Sequence, residues 1–238
     1  MNTFRNHITT IVLCEFLGLS SLVAVGQATF QNLGFESANL PIIPSGSFGG
    51  YVPVANGLPG WNVYLGTSQQ AQVLHNSVTL GASVVGIMGP DFSFLTRIQG
   101  SYTALLIGGL NSSTGNNLDA SIAQTGTIPG STRSIQFKAN PGNGDFIISM
   151  GGQSIPVVAL QSLLNSTLFG GDISSFAGQT AELRITAVSD AINHGLNVFT
   201  IDSILFSTQS VPEPSSYFLF GCGILFLAFG RGAFQKQR

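Results

Sequence analysis

Short alternating segments, each closed by a turn bearing glycine or proline, run through the middle of the chain, and this rhythm predicts strands rather than helices. In Ala181-Glu-Leu-Arg-Ile-Thr-Ala187, Leu183 and Ile185 fall on one side while Glu182, Arg184 and Thr186 fall on the other. That two-residue period marks a strand with one buried face. Ser134-Ile-Gln-Phe-Lys138 alternates in the same way. Further strands are expected over Trp61–Leu65, Thr103–Ile107, Ala120–Gln124, Asp145–Ser149 and Val198–Phe206. Pro129-Gly130 and Pro141-Gly142-Asn143-Gly144 supply turns between them. Only Val157 to Leu164 has helical spacing, and no internal repeat of solenoid or propeller length is present.

The ends read differently. Residues 1–28 have the layout of a secretory signal: Arg5 is basic, Ile8 to Val25 is mostly apolar, and small residues follow. Cleavage is expected after Gly26 or Ala28, and Glu15 interrupts the apolar run. After Val211-Pro212-Glu213-Pro214, an apolar stretch from Tyr217 to Phe229 leads to Arg231, Lys236 and Arg238. The prolines stop regular structure from continuing out of the domain, and the basic end would stay cytoplasmic. A transmembrane helix over about 215–230 is slightly shorter than the ~17–25 residues usual for a span, which snorkelling of the basic residues would offset. The alternative is a core helix, against which stand its all-round apolarity, its glycines and the basic stop.

Removing both ends leaves residues 29–210 as one domain, long enough to bury a core. Charged residues make up 8% of the chain, against roughly 25% in average domains, while apolar residues reach 44%. Disorder is a poor account of that combination; a sandwich coated with neutral polar side chains is a better one. The eight acids and four bases of 29–210 give a net charge of −4 and no basic footprint for nucleic acid. Cys14 and Cys222 both lie in the terminal segments, so the domain has no disulfide, thiolate metal site or cysteine nucleophile.

Val-Pro-Glu-Pro-Ser, an apolar helix and a basic terminus together resemble the PEP-CTERM sorting signal of Gram-negative bacteria. The resemblance covers 211–238 and implies that Pro212, Glu213 and Pro214 are read by an exosortase-type processing enzyme, with anchoring in the inner membrane in transit and delivery to the cell surface or extracellular matrix. The domain itself resembles exported jelly rolls of the galactose-binding-like or carbohydrate-binding-module type. The matching pieces are Asn32-Leu-Gly-Phe35-Glu36, Leu58-Pro-Gly60-Trp61, Ser121-Ile-Ala-Gln124-Thr-Gly-Thr-Ile128-Pro129, Phe176-Ala-Gly178-Gln179 and Phe199-Thr-Ile-Asp202-Ser-Ile-Leu-Phe206. The expected architecture is therefore an all-β, single jelly-roll sandwich between a signal helix and a transmembrane helix.

No catalytic set is legible. His75 and His194 stand far apart and outside any motif, and no Gly-x-Ser-x-Gly elbow occurs. Glu36 reads as a strand-end residue serving loop amides, or as half of a carboxylate pair. Asp202, inside an apolar strand, must face outward or be hydrogen-bonded. The segment Asn111 to Asp119 offers oxygens for a structural calcium without matching an EF-hand, and no other cofactor or metal is expected. For sugar, aromatic faces are the natural partners: Trp61 and Tyr64 are the candidates, with Tyr51 and Tyr102 behind them. Trp61 has a second reading, as a ring packed under the sheet after its Pro-Gly turn. The expectation is an exported, non-enzymatic surface or matrix protein with a polysaccharide as its candidate, loosely held ligand. The alternatives are a secreted glycan hydrolase or lyase and a purely structural matrix protein. Mass spectrometry of the mature protein is expected to show loss of the chain near or beyond Pro214; an intact C-terminus on the exported protein would remove the sorting reading.

Overall fold

The computed structural model describes residues 29–211 apart from 45, 91, 143 and 190–195. The signal segment and the sorting tail, with Pro212, Glu213, Pro214 and the expected span, lie outside the described residues, as do Asp91, Asp190 and His194. No helix among the described residues is long and apolar enough to cross a membrane.

In chain order the strands are β1 (Tyr51–Pro53), β2 (Asn62–Leu65), β3 (Ser68–Gln70), β4 (Gln72–His75), β5 (Val84–Met88), β6 (Thr103–Leu110), β7 (Asn117–Leu118), β8 (Ala120–Thr127), β9 (Ser134–Asn140), β10 (Phe146–Met150), β11 (Gln153–Ser154), β12 (Val157–Ser162), β13 (Thr167–Asp172), β14 (Thr180–Ala187) and β15 (Asn197–Ser207). They form two sheets packed as a sandwich. The larger runs β1-β4-β5-β6-β15-β9-β13-β12, with β7 added to β6, and the smaller runs β11-β10-β14-β8-β2-β3. The expected strands all form. In β14, Leu183, Ile185 and Ala187 are buried while Glu182, Arg184 and Thr186 are half-exposed, as the alternation requires.

One expectation needs correction: Val157–Leu164 is not helical. Its first six residues form β12, paired antiparallel with β13 at the edge of the larger sheet. A bulge between Ala159 and Gln161 inserts one residue, and Leu160 falls out of alternation. The extra residue turns a two-residue period into an apparent spacing of three and four.

The core lies between the sheets. Phe137, Phe146, Phe169 and Phe199 form its aromatic end: Phe137 stacks on Phe169 at 5.6 Å, meets Phe146 edge-on at 6.1 Å, and Phe146 stacks on Phe199 at 4.7 Å. A second, smaller cluster sits outside the larger sheet, where Leu74, Val84, Met88, Leu105 and Ile107 are covered by Phe92 and its neighbours. This explains why β5 and β6 are unbroken apolar runs rather than alternating ones: both of their faces are covered. Phe137→Ala is expected to destabilise the domain by about 3–5 kcal/mol in urea titrations, since the ring touches two sheets' worth of aromatic neighbours that cannot collapse into its space.

Candidate functional site

Two of the segments that carry the sequence resemblance, Asn32–Glu36 and Leu58–Trp61, meet at one place. Asn32 and Phe35 adopt left-handed backbone angles, φ 50° and 61°, closing a tight turn with Phe35 N–H donating to Asn32 O at 3.1 Å. The Asn32 amide donates to Pro59 O at 3.0 Å, and Trp61 Nε1 donates to Asn32 O at 3.2 Å. Trp61 is 3% exposed, with Phe35 tilted against it at 5.7 Å. Its ring therefore has no face open to a ligand. The structure places Trp61 in the core, as the packing reading had it.

Tyr64 lies on β2, facing out from the smaller sheet. The Arg184 guanidinium sits over its ring, 4.3 Å from the centroid, held by Glu182 at 2.9 Å. Arg184 also donates to Ser121 Oγ at 3.3 Å. Tyr64 is thus half-buried with a cation on one face, and it stands apart from Trp61, whose ring lies inside. Tyr102 and His75 line a small cavity of about 70 Å³ with Leu40, Pro41 and Pro90 among its walls. His75 is buried, and burial lowers its pKa; its Nδ1 has no hydrogen-bond partner among the described residues.

Glu36, Asp172 and Asp202 are occupied structurally. The exposed Glu36 accepts from the backbone N–H of Ser101 and of Tyr102, at 3.0 and 3.2 Å. Gly100 beside it has φ +59°, and a Cβ there would stand 2.1 Å from Glu36 Oε1. Only glycine lets the carboxylate approach this loop. Asp202 is 1% exposed. It accepts from Thr103 Oγ1 at 2.8 Å, Gln99 N at 3.2 Å and Ser203 N at 2.6 Å. Burial pushes its pKa up from 3.8 to about 6 against those bonds. Lys138, opposite it in the β15–β9 register, donates to Gln99 instead. Asp172 accepts from Ser174 N, which holds its pKa below the usual carboxylate range.

Two oxygens of the Asn111–Asp119 segment already serve the protein itself. Asn111 Oδ1 is taken by the N–H groups of Ser113 and Thr114, and Asp119 Oδ1 by Ser189 N and Oγ. Among the described residues no group of three or more His, Cys, Asp or Glu is placed to hold a metal.

The feature best shaped for a ligand is a cleft of about 430 Å³ beside β4 and β5. It arises from topology. β4 follows β3 after the single residue Ala71, yet β3 belongs to the other sheet. β4 must therefore leave the side of β5, and the two strands, which run parallel, pair only at Leu74↔Gly86 and His75↔Ile87. Before that point they diverge and open the cleft. Val63, Leu65, Val84 and Val85 give it apolar walls, and Gln70 and Gln72 give it amides; Ser83 also lines it, but its hydroxyl donates to Leu118 O and accepts from Gly109 N–H. The Gln70 amide N–H is bonded to Ser68, leaving its carbonyl oxygen for another partner. Tyr51, 60% exposed, stands at the mouth. No lining residue is charged. A second hollow of about 430 Å³ near Asn140 and Asn165 has no aromatic ring.

Of the residues picked from sequence, only the second-rank Tyr51 belongs to this cleft. Gln70 and Gln72 were not picked out. Their one sequence signal is the run Ser68-Gln-Gln-Ala-Gln72, amides flanking a change of sheet.

Compared with known proteins, the chain matches no family model and no curated protein. Among solved structures it is similar to TmCBM61, solved in complex with beta-1,4-galactotriose, at 15% identity and a TM-score of 0.40, covering 75% of this chain and 96% of that one. It is also similar to the enzymatically active domain of tailspike protein 4 of bacteriophage CBA120, at 15% identity and a TM-score of 0.35, covering 61% of this chain but only 19% of that one. At these scores neither likeness bears on what the cleft binds.

Asp202 gives the domain a specific pH response. Between about pH 4 and 6 the unfolded chain holds this carboxylate ionised while the folded chain still holds its proton, so its contribution to stability falls as pH rises through that window. His75, kept neutral by burial, acts with the opposite sign below 6.5. Comparison with Asp202→Asn cancels the histidine. The stability of the wild type relative to that variant is expected to fall by about 3 kcal/mol across the window and level off above pH 6, read from urea titrations at a series of pH values. A pH-independent difference would contradict the raised pKa.

Proposed function

We propose that the chain is a non-enzymatic, exported carbohydrate-binding protein that takes a neutral glycan in the cleft beside β4 and β5. The observation that carries this reading is an exposed aromatic ring, Tyr51, at the mouth of an uncharged cleft whose free polar groups are the amides of Gln70 and Gln72. A pyranose offers an apolar face to a ring and hydroxyls to amides, and carries no charge that would need a counter-ion. A uronic acid polymer would meet no cation in the cleft, and the negative domain would repel it. The jelly-roll description, the export signal and delivery through Pro212, Glu213 and Pro214 to the surface or matrix belong to the same reading and rest on the sequence. The absence of acids from the cleft lining favours binding over hydrolysis or lysis there, since glycosidases work with paired carboxylates at the bond they cut.

Affinity electrophoresis of the full chain in galactan, dextran, xyloglucan and polygalacturonate tests this directly. Retardation is expected in at least one neutral polymer and not in the uronate, with Tyr51→Ala weakening it about tenfold or more. Equal migration in every polymer would remove the proposal.

A further inference from the structure

Most of the exposed apolar side chains stand singly. Ile42, Leu80 and Leu164 are nearly fully exposed, as scattered surface residues often are. Phe48 and Phe94 are different. They come from separate loops, stack on each other at 4.7 Å with 19° between planes, and remain 57% and 54% exposed. Phe92 supports them from behind, 5.8 Å from Phe94. Two rings held face to face on the surface keep a large apolar area in water that ordinary packing would have hidden.

Their position relates them to the cleft. Phe48 precedes Tyr51 by three residues, so at most about 11 Å of extended chain separates the two Cα atoms. Phe92 packs in the same outer cluster as Val84, and Val84 is a wall of the cleft. The cleft opens where β4 and β5 begin, at Gln72 and Val84, and the Phe48 segment lies toward their other ends, where Gly49 N–H donates to Asn76 O and Asn76 N–H to Ile87 O; Tyr51, paired with Leu74, stands between the two.

We infer that Phe48 and Phe94 form a second sugar platform, so that the ligand is an extended neutral oligosaccharide lying across the cleft and the stacked pair rather than a single sugar or chain end. The inference rests on the binding role proposed for the cleft and adds the size of the ligand to it. Tyr51 takes one sugar ring at the mouth; the stacked pair takes one further along. Pre-stacked rings lose little freedom on binding, because each already fixes the other. The two rings are apolar and no residue lining the cleft is charged, which suits a neutral chain.

The test is a titration calorimetry series with the full chain and cello-, xylo- and β-1,4-galacto-oligosaccharides from disaccharide to hexasaccharide. In the series that binds, wild-type affinity is expected to rise with length by on the order of tenfold. Phe48→Ala and Phe94→Ala should abolish that rise while leaving the disaccharide affinity unchanged, whereas Tyr51→Ala should weaken every length. Phe94→Leu, which keeps apolar bulk without the ring, should behave as Phe94→Ala and guards against a folding defect. If the disaccharide binds, Tyr51→Ala weakens it, and both Phe variants follow the wild type at every length, the second platform is overturned and the cleft stands. If no oligosaccharide binds, the cleft reading falls and this one with it. Concentration-dependent dimers in sedimentation that Phe94→Ala abolishes, with no change in the length series, would assign the pair to self-association and overturn the inference.

Discussion

The turn at Asn32–Glu36 is where the two sheets are tied together. Its backbone is unfavourable for two non-glycine residues, and the surrounding contacts offset that strain. Trp61 and Phe35 bury their rings beside it, and the Asn32 amide fixes the Pro59–Trp61 turn. Gln31 and Gln124 exchange hydrogen bonds, which joins the segment to β8 of the smaller sheet. Ile204 N–H donates to Leu33 O, and Phe206 packs on Phe30, which joins it to β15 of the larger one. Glu36 then reaches across to the loop entering β6. A stretch of seven residues, Phe30 to Glu36, thus touches both layers, and the geometry of the interior depends on it.

Few of these contacts involve charge, which is consistent with the composition. A chain with so few ionisable groups satisfies its interior polar atoms mainly with amides and hydroxyls, and Asn and Gln recur wherever a loop meets a sheet. Asp202 is the exception. It accepts from Gln99 in the loop before β6, from Thr103 at the start of β6 and from Ser203 in its own bulge, and burial still raises its pKa to about 6. Both carboxylates, Glu36 and Asp202, hold the segment that leads into β6 in place. The cleft has a different origin. It opens because β4 is shared between a crossing from one sheet and a place in the other, and no side chain was needed to carve it.

The strands were legible because each half-covered strand carries a period of two, as in β9 and β14. β12 was not, since its bulge breaks that period locally. The candidate site was much less legible. Aromatic type alone singled out Trp61 and Tyr64, but type says nothing about which way a ring points. Trp61 turns inward to meet Phe35, and Tyr64 meets a guanidinium contributed by β14, more than a hundred residues away. Phe48 and Phe94 were hidden among eighteen phenylalanines, and most of those within the described residues pack against the two hydrophobic clusters.

Local chemistry, readable one segment at a time, determined that the middle of this chain is built of strands and carries almost no charge. It also determined that Asp202 had to be hydrogen-bonded if buried. Those properties depend on neighbours within a few residues. The register between distant strands decided the rest: the departure of β4 from β5, the covered outer face, the carboxylate clamp and the pairing of Phe48 with Phe94. These depend on which segments meet across the fold, and a linear pattern holds no record of such meetings.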